Sequence, residues 1–313
     1  MVELQTDLML TPEQAEGVLA AWLGTAVRCT GIERLHGGMI NSVLRLAFDR
    51  EPHSAVIKLS GSGQSFAGEV RALRHLRERA FPCPQVYHVE NVARLLPYTF
   101  LLLETLPGVS LAQARLGSTA RHRVEMELAE VLLDLHGHTR ETFGPPEAAG
   151  ETSWVAAFMP RLHRVRAEPE VGQRLPPEVL AEVDRAIGVA PELLAEAGKP
   201  TLIHGDIWAA NVMVAQDRNG APDGPRWRLS GLVDPGAQYA DVEMELAYLR
   251  VFQTVGTPFF DIYSASRPLR PGYELRWLVY WLRTYLIHVW LFGDQHYQDM
   301  TAWVAQELVS HTR

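Results

Sequence analysis

In HGDIWAAN (204–211) an aspartate, Asp206, precedes an asparagine, Asn211, by five residues, in the loop expected after a short apolar run. On such a loop the aspartate can reach the proton of an acceptor hydroxyl while the asparagine reaches a metal ion held on phosphates, the two tasks that phosphoryl transfer sets. A second carboxylate follows in LVDPG. Asp234 lies 23 residues after Asn211, a separation that holds one strand, a turn and a returning strand. That return would bring Asp234 beside Asn211 as a hard oxygen ligand for Mg²⁺, an ion usually held by one or two carboxylates plus substrate phosphates. Plainer readings exist: a capping aspartate in a structural loop for Asp206, and a turn aspartate before Pro235 for Asp234.

Lys58, in AVIKLS, stands eleven residues before Glu69 in FAGEVRAL. A strand lysine fixed by a helix glutamate can neutralise the α- and β-phosphates of a nucleotide. Lysine usage sharpens this reading. The 29 basic residues include only two lysines, Lys58 and Lys199, so arginine fills nearly every generic basic position. A lysine in such a chain is a candidate for work that needs a compact point charge. A solvent-facing strand lysine is the ordinary alternative, and Lys199, in AGKP, receives no role. Gly37 and Gly38, before the strand SVLRLAF, would let backbone N–H groups approach phosphates, or would simply turn a hairpin. The chain has no G-x-x-x-x-G-K-[ST] segment, so a Walker-type nucleotide site is unsupported. Trp208, inside the Asp206–Asn211 loop, could pack on the acceptor or act as a structural wedge. His136 and His138 have metal-pair spacing but no nearby third ligand, which favours a helix-end role. Trp277, Trp281, Trp290 and Trp303 fall at helical spacing and are expected in a core.

The elements that must position these residues are readable in outline. TPEQAEGVLAAWL (11–23) reads as a helix capped by Thr11 with Pro12 at its first position. Short β-like runs follow at 42–48, 55–60, 85–90 and 99–104, with a first strand inferred near 28–35 and a helix at 66–80 between the third and fourth strands. Beyond Leu106-Pro107-Gly108 the chain becomes mainly helical, as at 124–137 and 177–198, interrupted by the apolar runs 201–206 and 226–235. The composition shift near residue 105 marks the expected junction between residues 1–105 and 106–313.

Length and composition narrow the function further. The 313 residues suit one bilobal enzyme or two domains, and 47% hydrophobic content supplies a core. The net charge of −8 argues against a general nucleic-acid binder, which needs clustered basic residues. Cys29 and Cys83 have neither metal nor redox-motif spacing and read as free thiols in a reducing compartment. The first residues show no secretory pattern, and the apolar stretch 277–292 is interrupted by Arg283 and His288, so it reads as a buried helix. A cytoplasmic protein with no membrane partner is the expectation.

Taken in order, these motifs resemble the aminoglycoside phosphotransferase and protein-kinase-like superfamily, and within it the fructosamine kinase (ketosamine-3-kinase) family. HGDIWAAN, VDPGAQYADVEMELAYL (233–249), LLDLHG and WVAAFMPRLH (154–163) carry the resemblance, which spans most of residues 30 to 290. It implies an α+β, bilobal fold with a small antiparallel-sheet lobe (1–105) binding ATP and a larger helical lobe (106–313) carrying the catalytic loop and acceptor site. It implies Asp206 as base, Asn211 and Asp234 as Mg²⁺ ligands, Lys58 and Glu69 as nucleotide holders, and Glu104, Thr105 and Leu106 as the hinge against adenine. It also implies that Asp241 and Glu245 support the catalytic loop. The substrate would be a small hydroxylated amine, a ketosamine phosphorylated on a sugar hydroxyl. The chain departs from the family pattern at Met39 and in YADVEMEL, which touches the acceptor more than the chemistry. An aminoglycoside- or choline-type phosphotransferase is the alternative. A nucleotide-binding pseudokinase would usually lack one of Lys58, Asp206, Asn211 and Asp234, and all four are present.

Overall fold

A computed structural model describes residues 8–35, 41–217 and 226–311. The chain runs α1 (Pro12–Leu23), β1 (Cys29–Arg34), β2 (Ser42–Phe48), β3 (Ser54–Ser60), α2 (Ala67–Arg77), β4 (Val86–Glu90), β5 (Thr99–Glu104) and β6 (Val109–Ser110). There follow α3 (Ser118–Leu135), α4 (Trp154–Arg166), α5 (Pro169–Arg174), α6 (Pro177–Leu194), β7 (Thr201–Ile203), β8 (Val212–Asp217), β9 (Arg226–Leu232) and β10 (Gln238–Ala240). Four helices complete the described chain: α7 (Val242–Val251), α8 (Thr257–Ser266), α9 (Tyr273–Leu291) and α10 (Gln295–His311).

Two compact units result, residues 1–115 with 210–236, and residues 116–209 with 237–313. A single cut near residue 105 does not describe this grouping. The chain returns to the first unit at Ala210, because β8 pairs with β6 and β9.

In the first unit, five strands form an antiparallel sheet in the order β1-β2-β3-β5-β4. Strand alternation sorts its side chains by face. Leu44, Leu46, Ala55, Ile57 and Leu59 are fully buried in one cluster with Ala15, Val18 and Leu19 of α1. Each large aliphatic side chain buried in this way stabilises the unit by about 1.5–3 kcal/mol. The helix is held at its start by a capping box, in which Thr11 and Gln14 each accept a hydrogen bond from the other's backbone N–H. Val43, Arg45, Val56 and Lys58 take the opposite parity and face the other way.

A smaller sheet, β6-β8-β9, completes this unit. Gly108 enters it at φ +91°, and a Cβ there would meet the Val214 carbonyl oxygen at 2.0 Å. Only glycine allows that approach.

The second unit is mainly helical, with β7 and β10 as its short antiparallel pair. The apolar stretch read as a core helix is α9, with Trp277, Leu278, Val279, Tyr280, Leu282 and Leu286 buried. No described helix is long and apolar enough to cross a membrane. The tryptophans divide: Trp277 is buried, whereas Trp303 on α10 is 42% exposed.

Gly108→Ala is expected to cost about 2–4 kcal/mol in urea unfolding, from strain and a displaced strand. Gly17→Ala, in α1 with nothing within 4 Å of the new Cβ, should instead be neutral or gain up to about 1 kcal/mol. Equal effects at both positions would refute the close-approach argument.

Candidate active site

The first unit gathers Lys58, Glu69 and Asp234. Lys58 Nζ lies 2.6 Å from Glu69 Oε1 and 2.9 Å from Asp234 Oδ1. Lys58 is placed by its register in β3, opposite Val43 of β2 and Leu101 of β5. Glu69 comes from the first turn of α2. Asp234 follows β9, where Val212 pairs with Leu232 and the Val233 N–H donates to the Asn211 carbonyl at 3.0 Å. The β8–β9 pairing thus holds Asn211 and Asp234 at one end of the ladder. Asp234 sits at φ +61°, a conformation uncommon for a residue with a side chain and frequent at functional sites.

Burial alone would lower the Lys58 pKa, but the Asp234 and Glu69 carboxylates outweigh it and hold the ammonium charged well above its ordinary range. Burial raises Glu69, against the pull of Lys58 and with the push of Asp234. Two carboxylates therefore share one cation, and Asp234 is the more exposed of the two, its side chain at 50%. A carboxylate in that state, next to the Asn211 amide, is a fit donor pair for a hard cation. Among the described residues no group of three or more His, Cys, Asp and Glu is arranged to hold a metal, so phosphate and water oxygens would supply the remaining ligands.

These residues close the polar end of a cavity of about 420 Å³ within the first unit. Val43, Val56, Leu103 and Met213 give it apolar walls suited to a flat aromatic base. Glu104, Thr105 and Leu106 also line it. Sheet pairing stops at Glu104, so Thr105 and Leu106 leave the ladder, and the buried Thr105 Oγ1 has no hydrogen-bond partner. The Glu104 carboxylate accepts from the Gln85 N–H at 2.9 Å and from Arg77 at 3.3 Å. Gly37 and Gly38 lie outside the described residues.

The second unit positions Asp206. Tyr248 of α7 donates its hydroxyl to Asp206 Oδ1 at 2.6 Å. The loop backbone is gripped by Glu245, one turn earlier on the same helix face, which accepts from the His204 N–H at 3.0 Å and the Gly205 N–H at 2.6 Å. Glu245 also lies 3.0 Å from His136 Nε2, and Tyr263 Oη lies 2.7 Å from His136 Nδ1. Burial pushes His136 below its usual pKa, against the pull of Glu245, and keeps it neutral. Burial likewise keeps the Tyr263 phenol protonated. Tyr263 therefore donates to Nδ1, and Nε2–H donates to Glu245. Burial would raise Glu245, yet these donors outweigh it and hold it below its ordinary value.

His136 is the C-terminal cap of α3, the helix-end position expected, but its ring also bonds to Glu245, the carboxylate that holds the loop backbone. Asp241 differs from expectation. It accepts from Arg270 at 2.8 and 2.6 Å and from Tyr280 at 2.8 Å, and caps α7 through the Glu243 N–H. Those partners belong to the helical packing around α7, and of the acidic pair Glu245 alone is seen to hold the loop backbone. Trp208 is half-buried, with no aromatic or hydrogen-bond partner among the described residues. Tyr248 was missed in the sequence. Its three-residue step from Glu245 was the available signal.

A model of the fructosamine kinase family matches residues 12–310. The chain belongs to the fructosamine kinase family. It is 25% identical over 297 residues to a Staphylococcus aureus protein named "Probable ketoamine kinase", covering 90% of this chain and 94% of that one. The solved structure of aminoglycoside phosphotransferase APH(4)-Ia, a mutant in ternary complex with ADP and hygromycin B, superposes with a TM-score of 0.67 at 19% identity. It covers 95% of this chain and 97% of that one, and shows a shared protein-kinase-like fold. A Haemophilus somnus protein assigned as a fructosamine-3-kinase gives a TM-score of 0.71 at 19% identity, with 95% and 97% covered. The family member described here is accordingly a phosphotransferase with an alcohol group as acceptor.

The relay makes stability pH-dependent with a defined sign. His136 has a lowered folded pKa, so the unfolded chain takes up its proton first, near pH 6.5, and stability falls as pH drops through that region. Glu245 has a depressed folded pKa, so its contribution is present above its unfolded value and is lost as pH falls further. Urea midpoints should therefore decline from pH 7 to pH 5. His136→Gln, an uncharged donor and acceptor, should lessen the decline in that interval, of which His288, likewise lowered by burial, keeps a part, while leaving the loss at lower pH. Parallel profiles for the two proteins would rule out the neutral-histidine assignment.

Proposed function

We propose that the chain is an ATP- and Mg²⁺-dependent ketosamine kinase in which Asp206 is the catalytic base. The observation that carries the reading is the buried Lys58 ammonium, shared by Glu69 at 2.6 Å and Asp234 at 2.9 Å, at the polar end of an apolar-walled cavity. The adenine of ATP fits between Val43, Val56, Leu103 and Met213, with the Thr105–Leu106 backbone along its edge. Lys58 neutralises the phosphates, and Glu69 keeps its ammonium in place. Asn211 and Asp234 would hold Mg²⁺, which supplies positive charge to the phosphoryl oxygens. ADP bound to the structural neighbour supports the nucleotide assignment.

Asp206 accepts the proton of the attacking hydroxyl, and the Tyr248 hydrogen bond fixes the orientation of its carboxylate. Glu245 fixes the backbone from which it projects. Trp208, half-buried in the same loop, would pack on the acceptor. Residues 1–105 carry the nucleotide function in this reading, together with the β8–β9 return, and the rest of the chain carries the base and acceptor site. Family membership favours a sugar hydroxyl of a ketosamine over the aminoglycoside- or choline-type acceptor that the fold alone would allow. Two free cysteines suit a cytoplasmic setting.

Asp206→Asn should bind Mg·ATP within a few-fold of wild type in calorimetry while kcat on a fructosyl amine falls about 10²–10⁴-fold. Turnover like wild type would place the base elsewhere. Asp234→Ala should lose the Mg²⁺ dependence of nucleotide binding and most of its affinity. Unchanged binding with and without the ion would remove the metal role. Lys58→Arg should lose turnover although charge is kept, because the planar guanidinium does not fit between two carboxylates spaced for an ammonium. Full activity in that variant would reduce Lys58 to a strand residue.

A further inference from the structure

Some buried or partly buried arginines of the second unit have carboxylate partners, and Arg140, Arg174 and Arg267 donate to backbone carbonyls instead. Arg270 and Arg276 pair with Asp241 and Glu243, and Arg121 pairs with Glu125. Arg283 and Arg161 do not. Arg283, on α9, is partly buried and makes no hydrogen bond or ion pair among the described residues, and its Nε is buried without a partner. Arg161, on α4, donates only to the neutral Gln238 side chain.

The two are placed together. Phe158 of α4 and Tyr280 of α9 meet edge to face at 5.3 Å, and each arginine stands three residues, about one turn, beyond its ring. Burial, and then the charge of Arg161, lower the Arg283 pKa to about 10. Both also adjoin the catalytic loop. Gln238, the partner of Arg161, pairs in register with Ile203, three residues before Asp206. Tyr248, which donates its hydroxyl to Asp206, lies on α7, and α7 meets the turn of α9 that carries Arg283 where Trp281 Nε1–H donates to the Ala247 carbonyl at 2.8 Å. Two desolvated cations without a counter-ion are costly. A guanidinium fork matches a carboxylate or phosphate, and binding one here would supply the missing hydrogen bonds.

We propose that Arg283 and Arg161 form an anion subsite beside Asp206, and that the acceptor carries a carboxylate or phosphate a few bonds from its reacting hydroxyl. This rests on the ketosamine-kinase reading and narrows it: the preferred substrate is an acidic ketosamine rather than a neutral one. The carboxylate would come from an amino acid attached to the sugar, the phosphate from a phosphorylated sugar.

Steady-state kinetics with three acceptors separates these sources: N-fructosylglycinamide, N-fructosylglycine, and the 6-phosphate of N-fructosylglycinamide. In wild type, at least one anionic compound should exceed the neutral amide in kcat/KM by tenfold or more, chiefly through KM. The compound that gains identifies the source. Arg283→Gln should bring that ratio towards one, and Arg283→Lys should keep part of it. Arg161→Gln serves the same test should Arg283→Gln unfold at assay temperature. Equal use of all three compounds by wild type, or a ratio that both glutamine variants preserve, overturns the subsite and leaves the kinase reading intact. Failure to phosphorylate any of the three removes the ketosamine reading instead. Calorimetry with inorganic phosphate on ADP-saturated protein then tests the subsite without turnover. Binding lost in Arg283→Gln upholds it, and identical heats in both proteins overturn it.

Discussion

A buried ammonium cannot stand without carboxylates, and Lys58 obtains two. That requirement governs the first unit. It draws together β3, the first turn of α2 and the residue after β9, segments that are eleven and 165 residues distant from one another along the chain. The ladder pairing of β8 with β9 is what brings the last of them into reach. One cation is shared by two anions, and Asp234, the more exposed carboxylate, is the one that a divalent cation and phosphate oxygens could reach. In the proposed reading, affinity for a nucleotide–metal pair is a property of the arrangement and not of any single residue.

The second unit solves a different problem, that of a loop whose backbone must be rigid while its aspartate remains available. Glu245 gives its lone pairs to two consecutive backbone N–H groups and to a neutral imidazole, so the loop is braced from the inside of the helical unit. A buried carboxylate satisfied by so many donors stays ionised despite its desolvation. Arg270 and Arg276 supply the counter-charge for Asp241 and Glu243 at the start of the same helix. Breaking such a set by removing one partner leaves an uncompensated buried charge, which costs far more than the intact set contributes. Within this unit the guanidinium of Arg283 has no hydrogen bond or ion pair among the described residues, and the proposed anion would supply one.

Much was readable from local pattern. The two-residue period of SVLRLAF and AVIKLS, the Thr11–Pro12 cap and the 3.6-residue period of the long helices depend on near neighbours, and β2, β3, α1 and α9 follow them. The Asp206–Asn211 spacing and the 23-residue return to Asp234 are set by loop and hairpin lengths, so they too survive in one dimension. The rarity of lysine left two candidates, and the spacing of Lys58 to Glu69 separated it from Lys199. What the residue order could not reveal was partner choice among equals. Asp241 and Glu245 are both acidic, both near one helix start and both buried, and nothing local tells which will turn to the loop backbone and which to Arg270. Tyr248, His136 and Arg283 likewise look like ordinary core-helix residues until packing from distant segments gives each its partner or leaves it without one. The division of the chain at residue 115, with its return at 210, depends on β8 pairing with β6, a contact about a hundred residues long in sequence. Local periodicity and spacing record how the chain bends over a few residues, and the sequence determines those on its own. Charge pairing and desolvation depend on which surfaces meet, and only the folded structure brings those surfaces together.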